Sequence, residues 1–228
     1  MGASPDDAAS TPTLAECLDA PAAGDARQRL LDVLQEEMRG CQRCVGAGFV
    51  SVARPVFRGN ARQRVMVVGQ APAPFMAERP APFSGASGKV LRSWFARAGV
   101  APETFDERVY LTSLTKCFPG KSASGKGDRA PSTAEISLCR NHLEREVALV
   151  RPAVLVTLGR VAATAFVGRD PLAALVGTRH QVEVADQRLV VIPLPHPSGV
   201  SHWLNDAAHR SLVERGLELL ADEVRRLA

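Results

Sequence analysis

The sequence predicts an α/β fold, a three-layer α/β/α sandwich around a four-stranded parallel central sheet. Two observations predict it. Four short apolar runs, Val65–Gly69 (VMVVG), Val109–Thr115 (VYLTSLT), Val154–Leu158 (VLVTL) and Leu189–Pro193 (LVVIP), are rich in β-branched residues and read as strands buried on both faces. Between them lie stretches of helical period, the alternation that puts helices on both faces of a parallel sheet. The 228 residues suit one such domain with enough chain to bury a core.

Residues 1–25 contain no Lys or Arg and carry Asp6, Asp7, Glu16, Asp19 and Asp25, so they read as a disordered acidic tail ahead of a domain spanning 26–228. The formal charge of +4 then leaves +9 on the body, a balance that favours a polyanionic partner. That first segment does not read as a signal peptide, and no stretch reads as a membrane span. Five cysteines in such a chain argue against a disulfide framework and for a reducing, cytoplasmic setting. Cys41 and Cys44 form a C-x-x-C pair. With Cys117 and Cys139 they make four thiolates, a set that binds either zinc or a cubane iron–sulfur cluster. Cys17, in the tail, is spare.

Arg27–Met38 places Leu30, Leu31 and Leu34 on one helical face, and Gly40 ends that helix just before Cys41. The irregular stretch 44–63 carries Arg54, Arg58 and Arg62, and Arg64 follows; these four arginines form a solvated or a phosphate-facing rim. The first strand runs into the rigid turn Gln70-Ala71-Pro72-Ala73-Pro74. Phe83-Ser84-Gly85-Ala86-Ser87-Gly88 then opens a helix with Ser87 as N-cap and Val90, Leu91, Trp94, Phe95 and Ala98 as its apolar face. Phe83 there is either a hydrophobic staple or a stacking platform beside an anion site.

The second strand leads to Lys116, Cys117 and a Gly/Ser/Lys-rich loop from Gly120 to Arg129. Ser132-Thr133-Ala134-Glu135 is a capping box, after which Ile136, Cys139, Leu143, Val147 and Val150 share the inward face of a helix. Arg160–Val167 is a short helix and Ala207–Leu227 the last one. After Leu189–Pro193, the prolines at 193, 195 and 197 take the chain out of the sheet and hold His196 in a stiff, exposed turn. The turns carrying Gln70, Ser113 and His196 should converge on the C-terminal edge of the strands, where open α/β sheets bind ligands. Trp203 and His202 pack the last helix.

Four features stand in a telling order: Cys41-x-x-Cys44 with Cys117 and Cys139; Gly69-Gln70-Ala71-Pro72-Ala73; Pro82-Phe83-Ser84-Gly85; and His196-Pro197-Ser198-Gly199-Val200-Ser201. Together they resemble the uracil-DNA glycosylase superfamily, specifically its iron–sulfur families, from about Cys41 to the C-terminus. The resemblance implies a monomeric repair enzyme that hydrolyses the N-glycosidic bond of uracil or another deaminated base in DNA, leaving an abasic site. It implies a 4Fe–4S cluster on Cys41, Cys44, Cys117 and Cys139, which positions DNA-contacting loops and does no redox work. Such cleavage leaves an oxocarbenium-like sugar and an anionic base, so donors aimed at the pyrimidine oxygen lower the barrier. By resemblance His196 is that donor. Phe83 stacks on the flipped base, the backbone at Gln70 and Ala71 hydrogen-bonds it, and Ser113 reads its edge. Ser87, Ser198 and Ser201 hold phosphates and Val200 wedges into the vacated duplex.

Two departures shape the expectation. Relatives often carry an acid or amide in the first motif to position water, whereas Ala71 and Ala73 are apolar, so the chain looks most like the broad-specificity type called family 5 (type B); water positioning is left unassigned, with Glu78 a candidate. Ser113 replaces the Asn of strictly uracil-specific members, a shorter and less discriminating contact. The missing acid also suits a different reading, a catalytically weak or inactive protein that binds damaged bases. The His196 motif opposes it.

Overall fold

A computed structural model describes residues 21–74, 81–125, 127–198 and 202–227. Its elements run α1 (Pro21–Arg39), α2 (Arg43–Gly46), β1 (Val65–Gly69), α3 (Ala86–Arg97), α4 (Phe105–Arg108), β2 (Val109–Ser113), α5 (Thr133–Val150), β3 (Val154–Leu158), α6 (Arg160–Val167), α7 (Leu172–Leu175), β4 (His180–Val184), β5 (Gln187–Leu194), a 3₁₀ turn (His202–Asn205) and α8 (Ala207–Arg226). The strand order is β2-β1-β3-β5-β4. The first four are parallel neighbours, as the apolar runs require, and every residue of β1, β2 and β3 is buried.

Strand alternation divides the interior in two. Val65 and Val67, Val109 and Leu111, Val154 and Val156, and Val190 and Ile192 face α3 and α8, packing on Leu91, Trp94, Phe95, Leu217 and Leu220. Met66 and Val68, Tyr110, Leu155, and Leu189 and Val191 face α1 and α5, packing on Leu31, Leu34, Met38, Leu143 and Val147. Helices on both sides of the sheet make the sandwich.

Several expectations need correction. The sheet has five strands, because β4 pairs antiparallel with β5 at the edge through a two-residue turn in which Ala185 and Asp186 both have positive φ. That geometry is a type I′ hairpin, normally signalled by Asn-Gly, and Ala-Asp gives no such signal. β5 also runs through Pro193 to Leu194 instead of stopping at the proline. Val190 N–H donates to Ala153 O just before β3, so by alternation residue 193 turns its amide position toward β4; pairing with β4 ends at His180 opposite Val191, so no partner misses the proline's hydrogen.

The first helix begins at Pro21, inside the stretch read as tail, and buries Leu31, Leu34, Gln35 and Met38, an i, i+3, i+4, i+7 stripe that leaves Leu30 57% exposed. Ser87 is not an N-cap. Gly85 holds that position without a side-chain cap bond, and Ser87 is the second helical residue. The Ser132/Glu135 capping box forms as expected. No helix among the described residues is long and apolar enough to cross a membrane.

Candidate functional site

The C-terminal ends of β1, β2, β3 and β5 meet along one edge. Gly69 stands opposite Ser113, and the two chains stay tied beyond the strands, Leu114 N–H donating to Gly69 O (2.9 Å) and Thr115 N–H to Gln70 O (3.3 Å). Gly69 and Ser113 lie on the face toward α3. A Cβ at Gly69 would sit 3.2 Å from Phe83 Cζ and 3.9 Å from Ser113 Oγ, so the absent side chain makes room for the Phe83 ring and places it beside the Ser113 hydroxyl.

Phe83 is held in a costly conformation. Its φ is +52°, rare for an aromatic residue, and its carbonyl accepts from Arg92 Nη1 at 3.1 Å. Arg92 also pairs with Asp106 (2.8 Å), which pairs in turn with Arg58 (2.8 Å). A Cβ at Gly88 would fall 1.6 Å from Phe83 O, so only glycine lets the first turn of α3 close over that carbonyl. These contacts fix the Phe83 backbone, and its ring packs against the core on the α3 side.

His196 follows β5 by two residues and rests against the end of β3. Gly159 there has φ +83°, and a Cβ on it would lie 3.4 Å from His196 Cβ and 3.8 Å from His196 N. His196 is half-buried, not exposed as its proline-rich setting suggested. Burial alone pushes its pKa below the ordinary 6.5. The imidazole is therefore neutral near pH 7, with one N–H to give.

Gln70 and Ala71 are half-buried at the end of β1, Ser87 half-buried in the first turn of α3, and Ser198 half-buried two residues past His196. Val200, Ser201 and Glu78 lie outside the described residues. Of the rim arginines, Arg58 pairs with Asp106 and Arg62 with Asp25 at the surface, and the backbone N–H of Arg54 bonds the Cys117 sulfur.

The cysteines gather on the opposite face of the sheet. Gly40 closes α1 and delivers Cys41 and Cys44 around α2; Cys117 follows β2; Cys139 lies on the buried stripe of α5. All four are free thiols. Burial raises the pKa of Cys44, which is raised further by Cys139 and Cys41, and burial pushes Cys117 up to about 11, with Cys44, Cys139 and Cys41 adding to it. The four thus crowd one region, and keeping them as thiolates there takes a cationic centre. Two sulfurs already receive backbone donors, Cys117 from Arg54 and Cys139 from Lys116, the contacts that stabilise cluster thiolates. No three His, Cys, Asp or Glu side chains among the described residues stand close enough to hold a single metal ion. As chemistry, four sulfur donors suit a thiophilic centre.

The sequence reading misses the residues that hold these groups in place: Gly88, Arg92 and Asp106 behind Phe83, Gly159 behind His196, and Arg129, whose fork binds Glu135 Oε2 and Oε1 at 2.6 and 2.7 Å and ties the Gly-rich loop to α5. Only glycine at strand and helix ends gives a sequence signal for any of them.

A model of the uracil DNA glycosylase superfamily matches residues 56–218. The type-4 uracil-DNA glycosylase of Archaeoglobus fulgidus is 29% identical over 179 residues, covering 75% of this chain and 82% of that protein. That of Saccharolobus solfataricus is 28% identical over 174 residues (74% and 76%), and that of Thermotoga maritima 25% identical over 189 residues (82% and 92%).

Proposed function

The chain belongs to the uracil DNA glycosylase superfamily, and from that premise we propose that it is a DNA glycosylase that hydrolyses the N-glycosidic bond of uracil and related deaminated bases, leaving an abasic site. The observation that carries the reading is the edge itself: the ring of Phe83, whose backbone is strained, beside the Ser113 hydroxyl over Gly69, with a neutral His196 against Gly159. A base flipped from the duplex stacks on Phe83, meets the Gln70–Ala71 backbone, and offers its edge to Ser113. As the glycosidic bond breaks, negative charge grows on the base oxygen, and the His196 N–H is oriented to meet it. A neutral donor suits this role, because it keeps its proton while stabilising the anion. Ser87, Ser198 and Ser201 take phosphates, and Val200 fills the gap left in the stack.

The relatives above are named type 4. Ala71, Ala73 and Ser113 support the broader, family-5-like base range for this chain, because neither position 71 nor position 73 of the first motif carries an acid or amide and the edge contact is short. Cys41, Cys44, Cys117 and Cys139 hold a 4Fe–4S cluster, which ties α2, the segment after β2 and α5 into one scaffold. The protein works as a monomer on DNA in a reducing, cytoplasmic compartment.

The same apolar Ala71 and Ala73 favour one rival, a protein that binds damaged bases without cleaving them. Duplexes carrying a single uracil, hypoxanthine or xanthine, incubated with the protein and then treated with alkali, separate the two. Strand breaks at uracil and at one purine lesion are expected. Binding without breaks on every lesion would establish the rival. Affinity should also fall steeply as salt rises, since Lys and Arg contacts to phosphates release counterions.

A further inference from the structure

Beneath the base-facing edge lies a buried charge pair that the proposed chemistry does not use. Lys116 and Glu146 are 2% and 0% exposed and pair at 2.7 Å. The carboxylate is saturated: Thr112 Oγ1 donates to both of its oxygens at 3.0 Å, and Tyr110 OH to Oε1 at 3.0 Å. Tyr110 is tied to α1 through Gln35 Nε2 at 3.5 Å. The ammonium does one further thing, donating to the Ser113 carbonyl at 2.6 Å.

Burying two charges costs several kcal/mol each in desolvation, and apolar residues of equal volume are often as stable, so the pair is poor evidence for stability and calls for another role. Its place supplies one. Ser113 presents its side chain to the Phe83 face while Lys116 grips its carbonyl; Tyr110 and Thr112, on the opposite face of the same strand, hold Glu146. Lys116 also donates its backbone N–H to the Cys139 sulfur, accepts from Val56 N–H at 2.8 Å through its carbonyl, and immediately precedes Cys117. One residue therefore touches both the cysteine region and the strand end that faces the base.

We propose that Lys116, held by Glu146, is a positioning residue: it fixes the Ser113 backbone, and so the base-facing hydroxyl, relative to the cysteine centre. This rests on the base-binding reading of the edge. Cleavage in that reading depends on a pocket built from the far side of the sheet.

The test uses the iron-loaded protein. Lys116→Met/Glu146→Leu removes both charges at similar volume and leaves neither stranded, and Thr112→Val removes one donor to Glu146 and leaves both charges paired. The double variant is expected to keep wild-type iron and sulfide per chain and wild-type affinity for a duplex with a tetrahydrofuran abasic analogue. Its preference for a uracil duplex over the thymine counterpart, by fluorescence anisotropy, should fall at least 5-fold, and single-turnover cleavage of uracil at least 10-fold. Thr112→Val should move both the same way by about 3-fold. If the double variant fails to fold, Thr112→Val decides alone. Iron-loaded variants that match wild type within 2-fold in both preference and rate would overturn the inference, whereas a wild type that prefers uracil but never cleaves it would defeat only the glycosylase reading.

Discussion

The two faces of the sheet are built from the same strands by different means. Toward α3 and α8 the interior is mainly apolar, with Phe95 and Phe105 meeting edge to face at 5.1 Å and aliphatic residues filling most of the rest. Toward α1 and α5 the aliphatic core is interrupted by Gln35, Thr112, Lys116, His142 and Glu146, all buried, and the cysteines sit at its end. The apolar face gives stability and bears the strand-end edge proposed to face the base. The polar face supplies fixed hydrogen bonds, whose geometry is narrower than that of packing. His142 is the exception: it is 1% exposed on the Cys139–Glu146 stripe, and neither ring nitrogen has a hydrogen-bond partner among the described residues.

Substitutions on the two faces should therefore fail differently. The largest effect is expected for Cys139→Ser, which removes a thiolate and breaks the scaffold: iron and sulfide, measured per chain, should fall to background, while Cys17→Ser leaves both unchanged. Next is Gly88→Ala. Its methyl displaces the Phe83 carbonyl, so we expect a loss of about 1–3 kcal/mol in denaturant unfolding together with slower base cleavage. An apolar-face control such as Leu220→Ala should cost about 2–5 kcal/mol and leave the cleavage rate of the folded protein alone.

Acid should act on the two regions in turn. His196 lies below its ordinary 6.5, so the neutral donor persists as pH falls toward and past that value, and cleavage should decline only as pH drops through the lowered pKa. Glu135 is held at about 2, mainly by Arg129, against an ordinary 4.5. Its stabilisation is present above about 4.5 and lost as pH falls toward 2; on the order of 2 kcal/mol should disappear across that window, and Arg129→Ala should abolish most of the difference in acid unfolding curves. The smallest effect is expected for Ser113→Asn, whose amide should shift base preference toward uracil in competition assays with little change in rate.

How far the sequence reaches follows the same division. β1, β3 and α6 have the bounds their apolar runs give, because a strand buried on both faces and a short amphipathic helix leave a local signature. The hairpin β4–β5 does not, since Ala185-Asp186 takes the φ > 0 turn only under tertiary constraint. His196, Phe83 and Ser113 are visible as strand-end residues in motifs. What fixes them is not: Arg92 reaches Phe83 across nine residues, and Glu146 reaches Thr112 across 34. Contacts at such separations have no local pattern to read.

The central claim is that the strand-end edge performs chemistry through His196. Single-turnover cleavage of a uracil duplex by wild type and His196→Ala, with affinity for the abasic-analogue duplex measured alongside, tests it most directly. A fall in rate on the order of 100-fold or more, at nearly unchanged affinity, is expected for loss of an oriented oxyanion donor. Equal single-turnover rates would contradict it.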